Sequence, residues 1–229
     1  MKHVQTFLSL GLGFFAGALI SSLVYPIFVT QPNRRTLSDP SGELASSYQD
    51  MHGRPIIGLK YTYVDSYLVT FPSEFYESAS LSSTLKILEL ENQSINDVPK
   101  EISRLSLLQT LIIQDSDLKN VPSQIGDLAA MKNLQLCGNT LTIIPPDIGK
   151  LAKLETLTLC DNFLENVPHE IGNLTSLRVL DLHNNSLHSL PETVKNLSGL
   201  EYLFLGGNQL SSEEKEKIRN VLPKTQIFF

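Results

Sequence analysis

Clustered lysine and arginine are missing from this chain. Its 18 basic residues are scattered among 24 acidic ones, for a formal charge of −6. Four of the basic and three of the acidic residues precede Gly58, so the rest carries 14 against 21, a net −7. Phosphate backbones are gripped by grouped cations, so nucleic acid is a poor partner. No G-x-x-x-x-G-K-[ST], H-E-x-x-H or G-x-S-x-G string occurs. The commonest nucleotide, zinc-protease and hydrolase signals are therefore absent. Neither a catalytic residue nor a cofactor nor a metal is expected. Cysteine occurs only twice.

What the chain does have is a repeat. From Leu85 it reads L-x-x-L-x-L-x-x-N-x-L-x-x-L-P-x-x-I-x-x-L-x-x, and it restarts at Leu108, Met131, Leu154, Leu177 and Leu200, a period of 23. Position four is Leu88, Leu111, Leu134, Leu157, Leu180 and Leu203; position six is Leu90, Ile113, Leu136, Leu159, Leu182 and Leu205. Apolar residues two apart share one face of a strand, so each repeat opens with a strand whose leucines face a core. Stacking the repeats sets these strands side by side as a parallel sheet. Later come Val-Pro, Ile-Pro or Leu-Pro pairs from Val98-Pro99 to Leu190-Pro191, then Ile102, Ile125, Ile148, Ile171 and Val194. Proline ends the extended run, and apolar residues at intervals of three suit 3₁₀ or short helical turns.

Position nine is Asn139, Asn162, Asn185 and Asn208, with Gln93 and Ser116 in the first two repeats. There the backbone must turn inward. An amide side chain both donates and accepts, so this column is expected to be structural.

The spacing resembles the leucine-rich repeat class with the L-P-x-x-I signature, found in Scribble-like scaffolds and in bacterial repeat proteins. The resemblance covers about three quarters of the chain. It implies an α/β solenoid, a right-handed coil with the parallel sheet on its concave face and the short turns on its convex face. For function it implies protein binding without catalysis, since one fold hosts many functions.

The template extends toward both ends. Tyr61, Tyr63, Ser66, Leu68, Phe71-Pro72 and Phe75 fit a divergent first repeat starting at Gly58, with a four-residue insertion before Leu85. Residues 58–84 form that unit, and 85–222 the six repeats, the last merging into a capping helix. Ser211 and Glu214 suggest a capping box. Residues 212–222 read as an amphipathic helix with Ile218, Val221 and Leu222 inward, stopped by Pro223. Residues 223–229 then supply a capping strand with Ile227 and Phe229 turned in.

Residues 1–30 form a membrane anchor or signal segment. Phe7 to Val29 is 23 residues without a charge, long enough to cross a bilayer. Gly13 and Gly17 make a G-x-x-x-G pair, while Ala16-x-Ala18 offers a signal cleavage site and a secreted product. The anchor fits better, because apolar residues continue for eleven positions past Ala18. The early position resembles an export signal and puts the repeats outside the cytoplasm. Residues 31–57, rich in Ser, Pro, Gly and Asp, read as a flexible linker, too short to be a catalytic domain.

Cys137 and Cys160 both hold position seven, and His183 follows them there. A disulfide is allowed by distance, but parallel neighbours are a poor geometry for it. A metal site with Asp161 is disfavoured because all ligands would rise from one flat sheet. The expectation is small variable residues on a binding face. That face comprises positions three, five, seven and eight. Exposed aromatics on such a sheet make binding hot spots, which selects Tyr202 and Phe204, with Val179 and Asp181 beside them, Asp161 and His183 along the column, and Phe163 at the rim. The competing reading of Tyr202 and Phe204 is burial under the cap. A structural or adhesive spacer, or the substrate-selecting part of an enzyme complex, are the alternative functions.

Overall fold

The structure, a computed structural model, describes residues 46–49, 55–61, 71, 73–77 and 82–229. Among the described residues, nine strands form a single sheet in sequence order. The six expected from the repeat are β3 (Ile87–Glu91), β4 (Thr110–Gln114), β5 (Asn133–Gln135), β6 (Thr156–Thr158), β7 (Val179–Asp181) and β8 (Tyr202–Phe204). Each pairs with the next in parallel, and the leucines of position four face one another in register from Leu88 to Leu203. Side chains alternate between faces, so a slip of one residue would turn the whole column to solvent. Position six lies in the same continuous core.

The opposite flank is built from five 3₁₀ turns: Lys100–Arg104, Ser123–Asp127, Pro146–Lys150, His169–Asn173 and Glu192–Asn196. Each is entered by the proline of its repeat in extended conformation. The ring fixes φ, and the missing amide N–H falls at the start of the turn, where it has no partner within the turn. Ile102, Ile125, Ile148, Ile171 and Val194 point inward. Successive turns touch through glycine. A Cβ at Gly126, Gly149 or Gly172 would strike the carbonyl of Asp147, Glu170 or Thr193 in the next coil.

The N-terminal edge departs from expectation. The supposed linker over 31–57 carries β1 (Ser46–Gln49), antiparallel to β2 (Pro55–Tyr61), which itself starts three residues before Gly58. Pairing with a strand edge orders a segment whose composition could not order itself. The register also shifts. Leu59 lies opposite Leu88 and Tyr61 opposite Leu90, so position four is Leu59 rather than Tyr61. The Phe71 side chain is buried in the core, as Val98 is. The extra residues are therefore divided, two between Tyr61 and Phe71 and four between Glu77 and Leu85. An insertion split around the Phe71-Pro72 pair leaves a single-offset alignment right at one end of the repeat and wrong at the other.

The C-terminal helix spans Ser212–Val221, with Ile218 buried and Val221 against the core. Ser211 accepts from the Glu214 amide at 3.1 Å, but the Glu214 carboxylate takes the Leu190 N–H of the preceding coil at 3.1 Å. Half of the expected capping box is thus spent on fastening helix to solenoid. β9 (Gln226–Phe228) lies parallel to β8, with Ile227 opposite Leu203. Ile227 and Phe229 pack on the core, and Lys215 and Arg219 sit over the Phe229 ring at 5.5 and 4.8 Å. The proposed anchor at 7–29 lies outside the described residues. Among the described residues, no helix is long and apolar enough to cross a membrane.

Candidate protein-binding face

The outer face of the sheet carries positions three, five and seven. Position eight, expected to share it, bends away. Asn92, Asp115, Asp161 and Asn184 have φ between 49° and 56°, and Gly138 and Gly207 have φ of 67° and 73°. Asn, Asp and Gly are the residues that tolerate left-handed backbone. The bend starts the inward turn that position nine completes.

There each asparagine bridges coils. Asn162 Nδ2 donates to the carbonyls of Leu136, Leu159 and Cys160 at 2.9–3.1 Å, while its Oδ1 accepts from Leu141 N at 3.0 Å. Asn139 and Asn185 repeat the pattern, and Asn208 closes it on Leu182, Leu205 and Leu187. In the first coils Ser116 Oγ instead accepts from Gln93 N at 3.2 Å. Unpaired, these backbone groups would each cost about 1–3 kcal/mol.

Cys137 and Cys160 form a disulfide, with Cα atoms 4.6 Å apart. The sequence left this pairing open and disfavoured it on strand geometry; the structure joins the two residues. The separation of adjacent strands already falls at the short end of the disulfide range, and side chains standing on one face can lean toward each other.

His183 follows in the same column. Its Nδ1 lies 2.6 Å from Asp181 Oδ1, and its Nε2 3.4 Å from Asp161 Oδ2. Asp181 is 1 % exposed and the His183 side chain 12 %. Burial by itself would lower the imidazole pKa. The hydrogen bonds and negative charges of Asp161 and Asp181 outweigh it and raise the value to about 10. Asp181 is the firmer partner, since 2.6 Å is a strong charge-assisted bond and 3.4 Å is a loose ion pair. Asp161 is held low, first by His183, against a burial penalty, and then by Asn184 Nδ2 at 2.8 Å. Asp115 is pushed up by burial and by the charges of Asp161 and Glu91.

At the C-terminal end the face is aromatic. The Phe204 and Phe228 rings stack 4.8 Å apart at 8° between planes. Tyr202 and Phe204 are half-buried, and Phe228 stays 47 % exposed. The cap extends this surface rather than covering it. Val179 and Asp181, flanked by strands on both sides, form its floor and are buried. Asp161 is exposed beside His183, but Phe163 stands apart from the strands, one residue past Asn162 and 58 % exposed. Phe228 was not among the sequence candidates, although strict alternation with Ile227 and Phe229 points to it.

A leucine-rich repeat region profile matches residues 78–162, and a second leucine-rich repeat profile matches 152–210. Together they span more than half of the chain. The chain is a leucine-rich repeat protein. Comparison with curated sequences gives no match. Among solved structures, this leucine-rich repeat protein is similar to one from Leptospira interrogans, with 32% identity and a TM-score of 0.63, covering 75% of this chain and 48% of that one. It thus spans about half the length of that relative. It is also similar to the plant peptide hormone receptor RGFR1, solved in complex with RGF2, at 30% identity and TM-score 0.58, over 69% of this chain and 26% of the receptor. The ectodomain of the Arabidopsis thaliana receptor kinase GASSHO1/SCHENGEN3, solved with CASPARIAN STRIP INTEGRITY FACTOR 2, matches at 29% identity and TM-score 0.55, over 62% and 17%.

Proposed function

We propose that this protein is a non-catalytic recognition module of the 23-residue L-P-x-x-I class that binds another protein or peptide on the outer face of its sheet. The face is read as concave, as the resemblance implies. The observation that carries the proposal is the aromatic end of that face, where Tyr202, Phe204 and Phe228 offer ring surface from neighbouring strands. Aromatic groups supply large contact area at little conformational cost and dominate interface energetics. Asp161 and His183 add charge beside them, and Phe163 supplies a separate apolar point at the rim. The plant relatives solved with peptide ligands support a peptide or protein as partner.

The disulfide supports an extracytoplasmic setting, since such bonds persist in oxidising compartments. The uncharged run at 7–29 would tether the module to a membrane. The test is Phe228→Ala with Tyr202→Ala in the full chain. Partner capture from the native membrane fraction is expected to fall at least tenfold, with melting nearly unchanged. A large drop in melting with the same partners captured would show that the rings are core and the reading is wrong.

A further inference from the structure

One cluster on this face is more than a docking surface needs. Cys160 Sγ, a carboxylate oxygen of Asp161 and a ring nitrogen of His183 lie within 4.8 Å of one another. Cys137 Sγ is bonded to the first of these. Behind them Asp181, 1 % exposed, fixes His183 through Nδ1 at 2.6 Å. That leaves the buried His183 Nε2 with only the loose 3.4 Å contact to Asp161 Oδ2, and on the same face Asp181 Oδ2 and its cross-strand neighbour Thr158 Oγ1 are buried without a hydrogen bond. Buried polar atoms are normally satisfied, so these under-satisfied atoms on one face point to something that belongs beside them. An imidazole held firmly at one nitrogen by a buried carboxylate, with only a loose contact at the other, is the arrangement that orients a metal-binding histidine.

We propose that the reduced protein binds a zinc-class divalent cation through Cys137 Sγ, Cys160 Sγ, His183 Nε2 and the Asp161 carboxylate, with Asp181 as the positioning residue. The disulfide and the ion are then alternative occupants of one place, exchanged by redox state. A dithiol reductant donates two electrons and two protons to the S–S bond and is itself closed to a disulfide; each cysteine gains a thiol. The cation takes up the two sulfurs as thiolates and releases their protons to solvent. Thiolate, imidazole and carboxylate are zinc's ligand types, and tetrahedral binding needs donor atoms about 3–4 Å apart. Three donors already lie within 4.8 Å of one another, and the fourth, Cys137 Sγ, is bonded to Cys160 Sγ and is freed beside it when the S–S bond opens. The objection that a flat sheet cannot surround an ion fails at Asp161. Its φ of 52° takes it off the strand line and aims its carboxylate back at His183. The carboxylates that now surround the ring would equally favour a cation beside it.

The experiment uses the full chain in detergent, reduced with a phosphine, freed of excess reductant under argon and titrated with cobalt(II). One equivalent is expected to bind with a thiolate-to-cobalt band in the near ultraviolet and intense tetrahedral bands in the visible, all displaced by zinc. The oxidised protein is expected to show none of these bands. His183→Gln should weaken binding at least tenfold, and Cys137→Ser should remove most of the charge-transfer intensity. Far-ultraviolet circular dichroism follows the fold throughout. The proposal is overturned if the reduced, folded protein takes up no cobalt, if His183→Gln or prior oxidation leaves the spectrum unchanged, or if reduction unfolds the chain. Because no partner is involved, failure here would leave the aromatic-face reading standing, and the reverse holds too.

Discussion

Asp181 and His183 stand two residues apart on one extended run, and their Oδ1 and Nδ1 atoms approach to 2.6 Å. The spacing of two puts both side chains on the outer face. The aspartate is almost fully covered there, so the pair is a fixed local element rather than a solvated contact.

This pair makes stability depend on pH in the alkaline direction. The folded imidazole has a pKa of about 10, above the unfolded value of about 6.5. The folded state therefore holds the proton more tightly, and the stabilisation is complete below about 6.5. It is lost as pH rises through the interval up to about 10. Asp161 and Asp181 are the charged groups that act on the ring, and Asp115 acts in turn on Asp161. Melting of the oxidised, chelator-treated protein should fall steadily from pH 6.5 to 10. His183→Gln should flatten that slope, and an unchanged slope would refute the assignment.

Breaking the disulfide should cost stability but not architecture. The bond closes a segment of 23 residues, which in the chain-entropy account corresponds to about 3 kcal/mol. Cys137→Ser with Cys160→Ser is expected to lose about 2–4 kcal/mol in urea melts, with the circular dichroism spectrum retained.

Asn185→Leu should destabilise by about 3 kcal/mol or more, because it orphans several buried groups at about 1–3 kcal/mol each. The Leu159 and Leu182 carbonyls lose a donor and the Leu164 amide an acceptor. Partner capture measured well below the melting point should persist, since the amide lies beneath the face. Loss of capture with unchanged melting would mean that the asparagine is a contact residue instead.

Gly149→Ala should also destabilise, although alanine is the better residue for a helical turn. Its Cβ would meet the Glu170 carbonyl of the next coil, a backbone atom that cannot swing aside. A cost of about 1–3 kcal/mol is expected from overpacking. Gly199→Ala is the control, since nothing lies closer than 3.5 Å to a Cβ there. Equal melting of the two variants would contradict the close approach.

The strands, the proline turns and the capping strand were legible because each rests on local periodicity. A leucine at positions four and six and a Leu-Pro at fourteen and fifteen carry their meaning in their spacing. The left-handed bend at position eight left a trace in the Asn, Asp and Gly found there, but that trace also fits an exposed strand residue. The glycines of the 3₁₀ turns are similarly ambiguous, since their reason is a carbonyl one coil away. Glu214 looks like a capping-box partner until the Leu190 amide is seen within its reach.

Sequence alone determined that this chain stacks 23-residue coils on a leucine spine, because periodic burial depends only on which residues recur and how far apart. It also marked Tyr202 and Phe204, whose alternation puts them on one face. Contact across coils was decided only in three dimensions. The β1–β2 edge, the joining of Cys137 to Cys160, the burial of Asp181 under its neighbours and the stacking of Phe228 on Phe204 all depend on how adjacent strands lean and what lies beside them. A repeat unit encodes its own turn and its own inward face, but a side chain's surroundings are supplied by the coil before and the coil after.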